Sequence, residues 1–155
     1  MAIARKAGEF WAEFCSSTDA VELDEPYQVW YFGHTPELAE ELAALVLQGK
    51  KTATASLAET NLRKPDEAPI HNGYSVVTDY YGEPMCVVQT TEMRHMAFRD
   101  VDPVFAAQEG EGDRSLEYWQ RVHRECFTLE AERLGFSFDE NSVVCCERFR
   151  LLYPR

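Results

Sequence analysis

The segment HTPELAEELAALVLQGKKTATASL, residues 34–57, constrains the fold most, because a helix with both ends marked runs directly into a strand pattern. Thr35 suits the N-cap, where its hydroxyl accepts a backbone N–H, and Pro36 suits a first turn that does not need its missing donor. Glu37, Glu40 and Glu41 lie toward the positive end of the helix dipole, while Lys50 and Lys51 follow the negative end. Gly49 supplies the stop. Leu38, Leu42, Leu45 and Val46 recur at helical spacing as a buried stripe, with Ala39 and Ala43 small enough for close packing.

The strand that follows, TATASL, sorts its neighbours by parity: Lys50, Thr52, Thr54 and Ser56 on one side, Lys51, Ala53, Ala55 and Leu57 on the other. Lys51 and Thr54 can share a site only if the strand starts irregularly after the helix. A phosphate-binding loop is excluded on topology, since the required glycine position holds Ala44 and such a loop must precede its helix. Without further information, the lysines cap the helix and the hydroxyls line an exposed strand face.

Elsewhere the pattern mixes strands and helices without regular alternation. Ile3, Phe10, Trp11 and Phe14 predict an N-terminal amphipathic helix, and YQVWYF (27–32) predicts a short strand. Residues 58–72, with Pro65, Asp66, Pro69 and Asn72, read as a long irregular loop. YSVVTDYYGEPMCVVQTTEM predicts a hairpin about Tyr81-Gly82-Glu83, MAFRDV a further short strand, and DPVFAAQEGEGD a helical turn with a glycine loop. Asp113 or Ser115 caps a helix reaching Leu134, and SVVCCERFRLLYP closes the sequence as a long strand. The expected class is α+β.

Composition narrows the function. With 155 residues, 45% of them hydrophobic, the chain fits one globular domain. A net charge of −12 weighs against broad nonspecific binding to nucleic acid, which depends on lysine and arginine neutralising phosphates. No apolar run is long enough to span a bilayer and the N-terminus lacks a signal-peptide pattern, so a cytoplasmic protein with no membrane partner is expected. Five cysteines without a Cys-x-x-Cys pair suit reduced thiols and argue against structural zinc.

A second stretch, FAAQEGEGDRSLEYW, places Glu109, Glu111 and Asp113 on a glycine-interrupted loop able to approach the lysines. It lacks the glycine and closing glutamate of a calcium loop, so no dedicated metal or cofactor is expected, only opportunistic divalent binding. On the next helix Leu116, Trp119, Val122, Cys126, Phe127 and Leu129 form an apolar face that includes His123 and Glu130. His123 reads either as a packed boundary residue or as a substrate contact, and Trp119 either as a core anchor or as a stacking platform.

LQGKKTATASL, GYSVVTDYYGEPMCVVQTTEM, FRDVDPVFAAQEGEGDRSLEYWQRVH and VVCCERFRLLY, in that order and spacing, resemble the ASCH domain family from about Tyr27 to Tyr153, in particular its bacterial branch of this length. The resemblance implies a PUA-like fold, a small β-barrel with helices around it and a cleft open to nucleic acid or nucleosides. It also implies a single ASCH domain over 1–155 with an N-terminal helical extension, 1–20. The family is associated with RNA recognition, and bacterial members hydrolyse RNA or remove the acetyl group of N4-acetylcytidine. The amidohydrolase pattern falls on Lys51, Thr54 and Glu109. The extra N-terminal helix, the longer loop 58–72 and the EGEGD extension depart from the short amidohydrolases.

A threonine hydroxyl needs a base to become a nucleophile, and a desolvated lysine of lowered pKa or a glutamate can serve; a protonated lysine would instead stabilise developing negative charge. The favoured expectation is cleavage of single-stranded RNA, with Lys50 and Lys51 on phosphate and Tyr80 or Trp119 stacking a base. Ser56 and His123 complete the candidate substrate contacts. Deacetylation of N4-acetylcytidine-type nucleosides and noncatalytic RNA binding are the alternatives. The oligomeric state is left open.

Overall fold

The computed structural model describes residues 2–154, with the side chains of residues 2–4, Ile3 among them, outside the described set. Strands β1 (Tyr27–Trp30), β2 (Ala53–Leu57), β3 (Tyr74–Thr78), β4 (Pro84–Ala97) and β5 (Val143–Tyr153) form one sheet in the order β1-β3-β4-β5-β2. β1 runs parallel to β3, and the other pairs are antiparallel. Helices α1 (Ala2–Ser16), α2 (Pro36–Leu47), α3 (Ala58–Arg63), α4 (Pro103–Glu109) and α5 (Leu116–Leu134) complete the α+β fold.

The sheet does not close into the expected small β-barrel. β1 and β2 stay as edges, and instead of pairing they line a common cavity, β1 through Gln28 and Trp30, β2 through Thr54, Ala55 and Ser56. Unpaired edges beside a ligand-sized space leave backbone and side-chain polar groups facing it, which a closed barrel would have consumed.

Three buried clusters hold the helices to the sheet. Ala7, Trp11 and Phe14 of α1 meet Val76 and Val87; Leu42, Ala43 and Val46 of α2 meet Phe32, Val77, Cys86, Val88 and Phe149; and Phe105, Trp119 and Phe127 of α4 and α5 meet Ala53, Leu57, Phe98, Val144 and Cys146. Val144, Cys145, Cys146 and Glu147 are all buried, so β5 is covered on both faces and lacks the alternation of a half-exposed strand. The five cysteines are free thiols.

Two local expectations are corrected. Residues 58–72 contain α3 and a 3-10 turn, Pro65–Glu67, because a Glu59–Arg63 pair one turn apart and Arg63, donating to the Leu134 carbonyl, fasten a segment whose prolines come only afterwards. MAFRDV is not a separate strand. β4 continues to Ala97, paired with β5 from Val87 onward with two register shifts, and Phe98–Asp100 is a 3-10 turn.

Candidate functional site

Lys51 is placed by the irregular exit of α2. Gly49 adopts φ +75°, the N–H groups of Lys50 and Lys51 both donate to the Leu45 carbonyl, and β2 begins only at Ala53. This meets the geometric condition for bringing Lys51 and Thr54 to one side. The Thr52 N–H then donates to the Gln108 carbonyl at 2.8 Å, tying the strand entry to the end of α4.

α4 delivers the glutamates. Asp102 caps its N-terminus, and Gly110 ends it at φ +74°. A Cβ on Gly110 would stand 2.2 Å from the Lys50 carbonyl oxygen, so only glycine lets the two loops cross this closely. Ser115, not Asp113, caps α5 by accepting the Tyr118 N–H, and α5 presents Trp119 and His123 four residues apart on one face.

These elements converge on a buried charge cluster. The Lys51 ammonium, 1% exposed, donates to Glu109 Oε1 at 2.9 Å, to Glu111 Oε2 at 2.8 Å and to the Glu109 carbonyl at 3.3 Å. Oε2 of Glu109 receives the Trp119 indole N–H and faces His123 Nε2 at 3.2 Å. His123 Nδ1 lies 2.9 Å from the Trp119 carbonyl oxygen. That oxygen can only accept, so Nδ1 carries a proton; a carboxylate facing Nε2 requires a second. These contacts favour the imidazolium form of His123, whose ring is stacked on Trp119 with centroids 4.2 Å apart.

The titrations follow from this packing. Burial opposes the charge on Lys51, but Glu109 and Glu111 outweigh it and raise its pKa. Burial likewise disfavours ionised Glu109, yet Lys51, His123 and Trp119 bring its pKa well below the ordinary carboxylate range. Glu111 goes the other way: burial and the adjacent Glu109 push it up against the pull of Lys51. His123 is raised because Glu109 overcomes its burial. Two neighbouring carboxyls are thus driven apart, one fixed as an anion and one ready to take a proton.

Lys51, Glu109, Glu111, His123 and Thr54 line a cavity of about 630 Å³, bounded by Phe32, Leu42, Val122, Cys126 and Phe127. Thr54, half-buried, also lines an adjoining lobe of about 270 Å³ that contains Ser56, Asn61 and Glu147. The other candidates separate from this centre. Lys50 is exposed and outside both spaces; Ser56 lies in the second lobe, accepting from Asn61; and Tyr80 lies in a separate depression with Tyr31 and Trp30. Trp119 is buried, its ring between Phe98 and His123, so it supports Glu109 and leaves no face for a base.

Ligand atoms of Glu109, Glu111 and His123 lie within 4.8 Å of one another, a spacing a metal ion could use. The Lys51 ammonium already stands between the two carboxylates, so a divalent ion there would have to displace it.

An open α+β sheet with a buried lysine–carboxylate cluster at its edge defines a small cleft protein. The chain belongs to the ASCH domain family, which it matches over residues 28–153, and that family is generally thought to bind RNA. It is similar to the crystal structure of an ASCH domain from Lactobacillus crispatus, at 31% identity and TM-score 0.90, with 97% of this chain and 96% of that one covered. It is also similar to a crystal structure of a protein from Enterococcus faecalis, at 27% identity and TM-score 0.84, covering 96% of this chain and 88% of that one. No curated protein matches the chain. Among the described residues no helix is long and apolar enough to cross a membrane.

Proposed function

We propose that the cleft is an amidohydrolase site for an uncharged, nucleoside-sized substrate, an N-acylated pyrimidine nucleoside of the N4-acetylcytidine type. The observation carrying this reading is charge balance. Among the described residues lining the larger cavity, Lys51 is held by Glu109 and Glu111 and His123 by Glu109, while the further carboxyls of Glu130 and Glu132 outnumber the one exposed arginine, Arg133. A phosphodiester would enter with no unpaired buried cation to receive it, whereas a neutral amide meets no such opposition.

The chemistry then divides as follows. The Thr54 hydroxyl attacks the acyl carbon, and its proton passes to the Glu111 carboxylate. Negative charge moves to the acyl oxygen beside the Lys51 ammonium, which is held protonated and so acts as an electrostatic stabiliser rather than as a base. As Glu111 takes up the proton, the cluster of Lys51, His123, Glu109 and Glu111 changes from neutral to net positive, matching the oxyanion. Glu111 returns the proton to the leaving nitrogen, and water, activated by the same carboxylate, releases the carboxylic acid from Thr54. Glu109 touches no substrate; it positions Lys51 and His123.

Incubation of the purified protein with N4-acetylcytidine, followed by chromatography, should show cytidine and acetate in equal amounts. Absence of cytidine from the wild type, or undiminished turnover by Thr54→Ala, would sink the reading. One observation favours the RNA alternative: the exposed rings of Tyr31, Tyr80 and Tyr81 follow one another at centroid distances of 5.3 and 5.4 Å beside the cleft, as a stacking surface for unpaired bases would. Labelled single-stranded RNA that is cut by the wild type and spared by Lys51→Ala would establish cleavage. Retention without cutting would establish a binding module.

A further inference from the structure

Glu147 belongs to none of the groups used so far, yet it is a buried acid at the reacting centre. It is 6% exposed, and it pairs directly with Thr54 across the β2–β5 ladder. Directly opposed residues of an antiparallel pair project from the same face with Cβ atoms about 5 Å apart. The Glu147 carboxyl therefore stands beside the Thr54 hydroxyl, in the smaller lobe of the cleft.

One of its oxygens is committed and one is free. Oε2 accepts the Thr90 hydroxyl, whereas Oε1 has no hydrogen-bond partner among the described residues. No buried side-chain oxygen or nitrogen among those residues is sealed off without a partner, so Oε1 opens onto the lobe. Around it, Trp30, Phe32 and Pro69 supply flat or apolar walls, and Asn61 and Gln28 add side-chain amides to the lining. Each of those amides has one end already fixed, Asn61 Nδ2 on Ser56 Oγ and Gln28 Nε2 on the Ala68 carbonyl. The remaining groups are oriented before any ligand arrives. A narrow apolar slot with a few convergent polar atoms is the chemistry that holds a planar, uncharged heterocycle by its hydrogen-bonding edge.

We infer that the Glu147 lobe is the subsite for the heterocyclic ring of the substrate, and that Glu147 is the residue that reads the ring's nitrogen edge while the acyl group lies between Thr54 and Lys51. This rests on the amide reading for the placement of the acyl group, but not for the existence of the subsite. Burial raises the Glu147 pKa against the opposing Thr90 hydrogen bond and the Lys51 charge, which favours a carboxyl that can donate as well as accept.

The test is calorimetric titration of cytidine, which has the ring and no acyl group, into wild type and Glu147→Gln, together with steady-state hydrolysis of N4-acetylcytidine. Cytidine should bind the wild type and bind Glu147→Gln about ten- to a hundredfold more weakly. KM for N4-acetylcytidine should rise by a similar factor while kcat stays within about threefold, a split that a merely structural effect on Thr54 would not give. Wild type that fails to bind cytidine, or equal binding by a folded Glu147→Gln, overturns the subsite. If Glu147→Gln does not fold, Asn61→Ala decides instead, and unchanged cytidine affinity in that variant overturns it as well. Wild type that binds cytidine but releases none from N4-acetylcytidine overturns the amide reading and leaves the subsite standing.

Discussion

His123 Nε2 faces Oε2 of Glu109 at 3.2 Å, which couples a proton on α5 to the carboxylate that holds Lys51. His123 has its pKa raised above the ordinary 6.5, so its contribution to stability is complete below that value and is lost as pH rises through the folded pKa. Glu109 has the opposite sign: its contribution is complete above the ordinary 4.5 and is lost as pH falls through its depressed folded value. Urea unfolding across pH should therefore show the stability gap between wild type and His123→Gln shrinking on the alkaline side. A gap independent of pH would mean that His123 carries no extra proton.

Removing the ammonium should be worse than removing the whole pair. Lys51→Met leaves Glu109 and Glu111 facing each other in a buried space, and should cost about 3–5 kcal/mol. Lys51→Met combined with Glu109→Gln should recover part of that loss while remaining inactive. Equal destabilisation of the single and double variants in chemical denaturation would argue against a buried ion pair at Lys51.

Thr54→Ala should separate chemistry from folding. Thr54 is half-buried, so its unfolding free energy should change by no more than about 1 kcal/mol, whereas turnover of N4-acetylcytidine should fall by about 10³-fold or more. Thr54→Ser, which keeps a hydroxyl, should retain measurable turnover.

Turnover should rise with pH as Glu111 ionises, at a pKa above the ordinary 4.5 because burial holds it up, and fall again as His123 loses its proton above 6.5. The kcat/KM profile should be a bell, and Glu111→Gln should remove its acidic limb together with most of the rate. A flat profile would exclude Glu111 as the proton acceptor.

Gly110→Ala tests the crossing of the two loops. The left-handed backbone and the 2.2 Å approach to the Lys50 carbonyl should cost more than about 1 kcal/mol and move Lys51 off Glu109. Thermal melting checks the first effect and loss of turnover the second.

Much of this was legible from residues alone. The Thr35 cap, the Gly49 stop and the stripe through Leu42 and Val46 depend on local rules, and the structure reproduces them. Lys51, Thr54 and Glu109 were reachable through the family pattern, and the loop bearing Glu111 was visible as a partner for the lysines. The long-range facts were not. Nothing in the TATASL and VVCCERF patterns states that they pair, so Glu147 opposite Thr54 had no local signal beyond an acid inside a buried apolar run. The sheet's failure to close, the burial of Trp119 and the distance of Lys50 from the cleft are likewise products of packing.

β2 has one partner in the sheet, and that partner is β5, the last strand described. During synthesis, Lys51, Thr54 and all of α5 are made while β2 still has an open edge and Glu147 has yet to be added. Pairing elements this far apart in a chain carries a large loop-closure cost and comes late in folding. The cleft should therefore remain chemically silent on the nascent chain, and a polypeptide stopped after α5 should hold most of the reactive side chains without acquiring a working arrangement of them.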